Sequence, residues 1–203
     1  MIAICPKCGS HRWNKEVDEN VIVCPDCGER WSFVKKPLYI LTGCSGIGKT
    51  VTAGEIQKRT RDFVVLDADL FYNIMPHDTE KDYFAQVEQV ESLSKNIMQC
   101  GKPVLWTMAG NIDKLPRTYH CRFFSAIYVL ALVCSEESLR RRMTEGRHIT
   151  DDRWIGSSVE YNSFFRTHEQ IGEVRFETLD TEGKTISEAA EAVLAWLTEH
   201  EKH

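Results

Sequence analysis

Short apolar runs alternate with amphipathic segments along most of the 203-residue chain. The runs predict five buried strands, at residues 38–41, 63–66, 104–108, 126–133 and 174–179. Helix-like segments separate them. This alternation predicts an α/β fold whose strands form a parallel sheet, with reactive groups at the carboxyl ends of the strands.

Local signals mark four of the intervening or terminal segments as helices. Three are predicted at residues 50–59, 83–100 and 139–143. The last begins at Thr185 and Glu188, which are spaced as a capping box and precede an apolar helical face. The first 36 residues lack this pattern, so the sequence predicts a small N-terminal module at 1–36 and a larger domain at 37–203.

Two C-x-x-C pairs dominate the N-terminal module. The four cysteines are Cys5, Cys8, Cys24 and Cys27. Their spacing is typical of a zinc ribbon built from two knuckles, and each pair continues into Gly and then Arg-Trp, as in a short duplication. The alternative is a disulfide framework, which needs an oxidising compartment. The N-terminus does not resemble a signal peptide, so we expect structural Zn²⁺ and a cytoplasmic location.

A glycine-rich sequence follows the first predicted strand and precedes a helix. It consists of Gly43, Cys44, Ser45, Gly46, Ile47, Gly48, Lys49 and Thr50, the complete G-x-x-x-x-G-K-T pattern of a P-loop. Its backbone amides would cradle phosphates, Lys49 would contact the β- and γ-phosphates, and Thr50 would bind Mg²⁺. We therefore expect this chain to bind a nucleoside triphosphate.

Charged residues elsewhere bear on what the bound nucleotide does. Asp67 and Asp69 follow the second strand, and their alternate positions let both face the phosphates. Asp67 is predicted to hold Mg²⁺ and Asp69 to accept a hydroxyl proton; the alternative is that Asp67 ends a strand and Asp69 caps a helix. The arginine-rich segment containing Arg142 and Arg147 is predicted to form a lid over about 135–155, or else a solvated basic helix.

Together these motifs resemble the P-loop nucleoside/nucleotide kinase-like superfamily, and the Asp-x-Asp resembles shikimate- and gluconate-type kinases. The resemblance spans about residues 38–200. It implies a five-stranded sheet of order 2-3-1-4-5 and ATP- and Mg²⁺-dependent phosphoryl transfer beneath a closing lid. It also implies that Arg142 and Arg147 are the lid arginines, and that Asp180 and Thr181 lie against the adenine.

The acceptor side departs from that pattern. The third strand ends in Ala109-Gly110-Asn111 instead of a full glycine-rich turn, and residues 73–82 contain no arginine. The nearest replacements for an acceptor-binding arginine are Arg117 and Arg122, with Tyr119 and His120 as neighbours. Ordinary surface positions are the alternative for all four.

The composition excludes some partners and leaves others open. The formal net charge is −5, which argues against a general nucleic-acid binder, although Trp13 and Trp31 of the ribbon could stack on bases. No apolar stretch approaches the roughly 20 residues of a membrane span.

We expect a kinase for a small metabolite, with nucleosides and nucleotides among the acceptors. A polynucleotide-end kinase and a nucleotide-dependent regulatory protein are the alternatives, and the oligomeric state is left open.

Overall fold

A computed structural model describes residues 2–202. Its N-terminal part is a small antiparallel sheet in the order β1-β2-β3. The strands are β1 (Glu16–Asp18), β2 (Val21–Val23) and β3 (Arg30–Ser32). We call residues 2–36 the ribbon and the remainder the body. The short strands give the ribbon only a few buried side chains, among them Ile22 and Phe33.

The body is built on a five-stranded parallel sheet. Its strands are β4 (Leu38–Thr42), β5 (Val64–Asp67), β6 (Val104–Thr107), β7 (Ile127–Val133) and β10 (Glu177–Asp180). They are arranged β10-β7-β4-β6-β5, and the hydrogen-bonded neighbours all run parallel. Numbered from its own first strand and read from β5, this sheet has the order 2-3-1-4-5. The α/β class expected from the alternating pattern is confirmed.

Helices cover both faces of the sheet. They are α1 (Lys49–Arg59), α2 (Glu80–Ile97), α3 (Glu136–Arg141), α4 (Asp152–Thr167) and α5 (Ile186–His200). Strand β4 is buried on both sides: Leu38 and Ile40 belong to one apolar cluster, and Tyr39 and Leu41 to the other. This explains why the strand reads as a continuous apolar run instead of an alternating one. None of the helices in residues 2–202 is long and apolar enough to cross a membrane.

Two of the predicted elements differ from the structure. The strand expected at 174–179 is divided: β9 (Val174–Arg175) forms a hairpin with β8 (Gln170–Ile171), and β10 then joins β7. An apolar run cannot reveal such a change of partner. The helix expected at 83–100 begins earlier, because Thr79 and Asp82 form a capping box, and its last three residues form a 3₁₀ turn.

Helix α4 was absent from the sequence interpretation. Asp151 caps it by accepting hydrogen bonds from the backbone N–H groups of Arg153 and Trp154, at 2.9 and 3.2 Å. Ile155 and Phe165 are buried on its inner side. An N-cap followed by buried positions at helical spacing was a usable signal. The predicted lid segment, 135–155, therefore comprises α3, a π-helical turn at Arg142–Gly146 and the start of α4.

The ribbon packs against the body. Ile2, Ile22 and Phe33 form an apolar cluster with Phe123 of the body. The Tyr119 hydroxyl donates to the Lys15 carbonyl. The body side of this contact is therefore the loop after β6, which the sequence interpretation had considered for acceptor binding.

Candidate active site

The P-loop joins the end of β4 to the start of α1. Gly43, Gly46 and Gly48 all have positive φ angles, of 131°, 79° and 112°. A Cβ at Gly43 would lie 2.7 Å from the Leu132 carbonyl oxygen, and one at Gly46 would lie 2.6 Å from Cγ of Met143. Two of the glycines are therefore required both by backbone conformation and by close packing.

Lys49 lies across the mouth of this loop. Its Nζ donates to the carbonyl oxygens of Gly43 and Cys44, at 2.8 and 2.9 Å. Burial lowers the pKa of Lys49, and the nearby Asp69 and Asp67 oppose this shift. The ammonium is thus held by oxygen atoms within the loop that would surround a phosphate chain.

Thr50, Asp67 and Asp69 form a connected group next to Lys49. The Thr50 hydroxyl donates to Oδ2 of Asp67 at 2.9 Å, and Oδ1 of Asp67 accepts from the backbone N–H of Asp69 at 3.0 Å. Asp67 therefore also caps a 3₁₀ turn, whereas the alternative interpretation assigned the cap to Asp69. A hydroxyl beside a carboxylate is a pair of hard oxygen ligands, the type that Mg²⁺ prefers.

Asp69 has a different environment from Asp67. Burial and the neighbouring Asp67 carboxylate raise the pKa of Asp69, while Lys49 and Arg147 partly offset this increase. A raised pKa makes the carboxylate a better proton acceptor. The two aspartates, two positions apart, are therefore suited to different tasks.

These groups line one cavity of about 850 Å³. The lining includes the P-loop from Ser45 onward, Asp67, Asp69, Arg142 and Arg147. A volume of this size lies within the range of small-molecule sites. The tertiary structure thus brings the predicted phosphate, metal and proton-accepting residues to a single opening.

The two predicted lid arginines have unequal surroundings. Arg142 donates to the Ile47 carbonyl at 3.1 Å, and to the hydroxyl and carbonyl of Thr181 at 3.0 Å each. It fastens the P-loop to the segment after β10. Arg147 is exposed, and its guanidinium lies 5.5 Å from the centre of the Trp154 ring. Arg142 therefore connects two walls of the site, whereas the contact that residues 2–202 give the Arg147 guanidinium is the stacking on Trp154.

The segment after β10 is placed differently from the expectation. Thr181 is buried, and its hydroxyl donates to the Val133 carbonyl at 3.0 Å. Asp180 accepts from the backbone N–H of Glu182 at 2.9 Å. Neither residue lines the cavity; Lys184, Thr185 and Ile186 line it instead. The adenine contact of Asp180 and Thr181 therefore stays a prediction, and the part of this segment that lines the cavity begins at Lys184.

Several cavity residues were missed by the sequence interpretation. Thr107, at the end of β6, is 1% exposed, and within residues 2–202 its hydroxyl has no hydrogen-bond partner. It pairs in register with Asp67 on β5. Its place at the carboxyl end of a predicted strand was a signal that could have identified it. Tyr72 and Trp154 also line the cavity, but nothing in their local sequence distinguishes them from surface aromatics.

The residues considered as acceptor-binding replacements lie elsewhere. Tyr119 and Arg122 stack on each other, 4.4 Å from guanidinium to ring centre, beside the ribbon. His120 contacts Lys95 and Glu88, at 2.8 and 3.3 Å. Arg117 is exposed. None of the four lines the described cavity.

The four ribbon cysteines converge. Their sulfur atoms lie within 4.8 Å of one another, with Cys5 to Cys27 and Cys8 to Cys24 at 3.7 Å. A tetrahedron with Zn–S bonds of about 2.3 Å has edges of about 3.8 Å, so the spacing fits a tetrahedral metal site. It is too long for a disulfide, whose sulfurs lie about 2 Å apart.

The two knuckles that supply these sulfurs have matching backbones. The N–H of Gly9 donates to the Cys5 carbonyl, and that of Gly28 to the Cys24 carbonyl, both at 3.0 Å. The φ angles of the two glycines are 72° and 71°. The repeated sequence therefore folds into a repeated turn, which only a residue tolerant of positive φ adopts readily.

Comparison with known proteins identifies the fold. No family model matches the chain, and no curated protein matches it in sequence. Solved structures do match: a gluconokinase from Sinorhizobium meliloti has a TM-score of 0.60 at 18% identity, with 84% of this chain and 95% of that chain covered. The APS kinase of Mycobacterium tuberculosis has a TM-score of 0.57 at 18% identity, with 81% and 99% covered. A sugar kinase from Janibacter has a TM-score of 0.58 at 18% identity, covering 81% and 95%. The body thus has the P-loop kinase fold.

Proposed function

We propose that this protein is a kinase that transfers the γ-phosphoryl group of ATP to a hydroxyl group of a small molecule. The observation that carries the proposal is the arrangement of Lys49, Thr50, Asp67 and Asp69 around one cavity. Nucleotide binding alone requires only the first three. Asp69, with its raised pKa and its place in the same cavity as the P-loop, supports a transfer reaction.

The phosphate end of the cavity supplies binding and charge neutralisation. Thr50 and Asp67 would hold Mg²⁺, whose charge offsets that of the phosphates. Lys49 would exchange its loop carbonyl partners for phosphate oxygens. The unpartnered hydroxyl of Thr107 supports this assignment, because a bound ligand or its water would satisfy a buried donor that the described residues leave unpaired.

The two arginines contribute in different ways. Arg142 would keep the P-loop and the Thr181 segment at a fixed separation, since its three hydrogen bonds all go to those segments. Arg147 is exposed and close enough to influence Lys49 and Asp69 electrostatically, so it is the better candidate for stabilising the transferring phosphoryl group. The segment 135–155 that contains both would act as a lid, with Lys184 to Ile186 beside the nucleoside.

The ribbon has a separate role in this proposal. Its four thiolates would hold Zn²⁺ in a closed site, which gives structure and leaves no open position for catalysis. Residues 1–36 and 37–203 would then be a metal-stabilised module and a catalytic domain.

Measurement of ADP release with a panel of metabolites, nucleosides and nucleotides tests the proposed kinase activity. We expect at least one hydroxyl-bearing acceptor to raise ADP release above the acceptor-free rate, with phosphorylated product detected by mass spectrometry. Lys49→Ala should remove this increase, because it deletes the cation at the phosphates. Lys58→Ala is the matched control, since Lys58 is an exposed lysine of the same helix. Equal activity in the wild type and Lys49→Ala would contradict the assignment.

A further inference from the structure

A smaller recess opens beside the large cavity, between the start of α2 and the end of β6. We call it the α2 recess. It encloses about 40 Å³ and shares Asp69, Tyr72 and Ala109 with the large cavity. A molecule held there would lie next to Asp69, on the side away from the P-loop. Because the recess is narrow, it would grip one end of a molecule that extends into the large cavity.

The floor of the α2 recess is apolar. It is formed by Phe71, Val87, Val90 and Met108, which are all buried. Phe71 stacks on Trp106 with the ring centres 5.8 Å apart, so its position is fixed from behind. Tyr72 and Tyr83 add two aromatic rings to the lining. Such a surface favours a ligand with a flat or apolar face.

Two amide side chains complete the lining. The Gln86 side-chain nitrogen donates to the Pro76 carbonyl at 2.8 Å, which leaves the side-chain oxygen available as an acceptor. Asn111 has a left-handed backbone with φ of 62°, and its side chain does not cap the turn that it begins. Non-glycine residues in this conformation are uncommon and concentrate at functional sites. Amides of this kind bind neutral hydroxyl, amide or ring nitrogen groups.

Among the described residues, the one charged group that lines the α2 recess is the Asp69 carboxylate. Asp67, two positions earlier, lines the adjoining large cavity. The nearest buried cation of the adjoining turn, Lys114, is already neutralised by Glu80 and Asp113, at 2.9 and 3.7 Å. A phosphate or carboxylate entering the recess would meet the Asp69 carboxylate and the phenols of Tyr72 and Tyr83, and no guanidinium among the described residues that line it.

We propose that the phosphoryl acceptor is an electrically neutral, hydroxyl-bearing molecule with a flat or apolar face, such as a nucleoside or a free sugar. This inference rests on the proposed kinase function. In the reaction, the acceptor oxygen bonds to the γ-phosphorus as the bond to the β-phosphate oxygen breaks. ADP leaves, and the acceptor proton goes to the Asp69 carboxylate.

Matched pairs of acceptors test the neutral-acceptor inference. A nucleoside is compared with its 3′-monophosphate, which keeps the 5′-hydroxyl, and glucose with gluconate, in the presence of Mg²⁺ and ATP. We expect kcat/KM for the neutral member of the pair that reacts to exceed that of its anionic partner by at least about tenfold, because the anion would lie unpaired beside Asp69. Which pair reacts distinguishes a nucleoside from a sugar.

A charge introduced into the recess provides a second test. Gln86→Arg adds a guanidinium at the recess and should shift the ratio of neutral to anionic kcat/KM toward the anion by about tenfold. Gln89→Arg is the control, because Gln89 is exposed on the same helix and receives the same substitution. The ratio is informative even if Gln86→Arg lowers overall activity.

The possible results separate this inference from the kinase proposal. Preference for the anionic members, or no change of the ratio in Gln86→Arg, overturns the neutral-acceptor inference and leaves the kinase proposal standing. Binding of ATP without transfer to any member of the panel overturns both. Preference for a neutral acceptor together with a shifted ratio only in Gln86→Arg supports the inference.

Discussion

The ribbon and the body are stabilised by different means. In the ribbon, four sulfur atoms converge within 4.8 Å while the strands are three residues each. In the body, a five-stranded sheet is buried between two large apolar clusters. A small module cannot bury enough apolar surface to fold alone and commonly relies on a metal, whereas a domain of the body's size has a sufficient core. Loss of the metal ligands should therefore unfold the ribbon, whereas the body should unfold when its apolar core is disrupted.

The largest effect is expected from removing ribbon thiolates. Cys5→Ser combined with Cys8→Ser should abolish zinc binding and the order of the ribbon, because structural zinc contributes on the order of 10–16 kcal/mol in small modules. The body should still bind ATP. Elemental analysis, amide hydrogen exchange and ATP affinity test these expectations, with Cys100→Ser as the control at an exposed cysteine outside the cluster. An ordered ribbon without zinc, or an unfolded body, would contradict the comparison.

The second effect is confined to catalysis in the body. Asp69→Asn should lower single-turnover phosphoryl transfer by about 10²–10⁴-fold, as expected for the loss of a general base. ATP binding should persist, because Lys49, Thr50 and Asp67 are retained. Asp78→Asn is the control at an exposed position.

The pH profile provides a further readout for Asp69. The pKa of Asp69 is raised by burial, so wild-type transfer should increase as pH rises through that pKa, above the ordinary value for an aspartate. Asp69→Asn should lack this limb of the profile. Unchanged transfer to a hydroxyl acceptor would exclude the base assignment.

The third effect distinguishes the two lid arginines. Arg147→Ala should lower kcat by up to about 10²-fold with little change in Tm, because its side chain is exposed and acts on developing charge. Arg142→Ala should lower Tm by a few degrees as well as kcat, because it breaks three hydrogen bonds between the walls of the site. Steady-state kinetics and thermal denaturation measure both. The same response from both variants would refute the distinction.

The smallest effect on activity concerns a buried carboxyl of α2 near the joint between ribbon and body. Burial raises the pKa of Glu91 to about 8, and the side chain accepts from the Thr118 hydroxyl. When a carboxyl is neutral in the folded protein and ionised in the unfolded chain, the free energy of unfolding falls as pH rises from about 4.5 toward 8. Glu91→Gln removes this dependence, so the variant's Tm relative to wild type should increase over that range.

The Glu91 prediction is tested by the difference in Tm between the wild type and Glu91→Gln at each pH, because the Tm of one protein alone includes other titrating groups. Burial lowers the pKa of nearby Lys95 to about 8 and that of His120 to about 4, so those groups add their own pH dependence to both proteins. Subtracting the variant's Tm from that of the wild type at each pH leaves the pH dependence of Glu91 together with its interaction with Lys95. Glu191→Gln, at an exposed position of α5, is the control. A constant difference across pH 5–8 would contradict the prediction.

The phosphate end and the metal cluster could be predicted because their residues are close in sequence. The P-loop occupies eight consecutive positions, and each zinc knuckle occupies four, with the glycine that completes its turn next in the chain. Local backbone geometry brings those groups together, so spacing alone indicates their chemistry. Asp67 and Asp69 were found for a related reason: they follow a strand whose carboxyl end must face the same edge as the P-loop.

The α2 recess, where we propose that the acceptor binds, could not be predicted from local sequence patterns. Residues from the turn after β5, from α2 and from the end of β6 form the α2 recess, and no local pattern connects them. The same limit explains why Tyr119, His120 and Arg122 were considered for the acceptor: only packing shows that Tyr119 contacts the ribbon, that Arg122 stacks on Tyr119 and that His120 contacts Lys95. Arg142 was expected to act on phosphate, but its partners Ile47 and Thr181 are distant in sequence.

The sequence by itself therefore determined the class of fold, the phosphate-binding loop, the cysteine cluster and the pair of aspartates. The tertiary structure decided which arginine connects the walls of the site, where β10 begins and which side chains line the α2 recess. The physical reason is how far apart in the sequence the interacting residues lie. Turns, caps and chelating knuckles depend on neighbours within a few residues, whereas a recess depends on burial among segments that meet only after the core has packed.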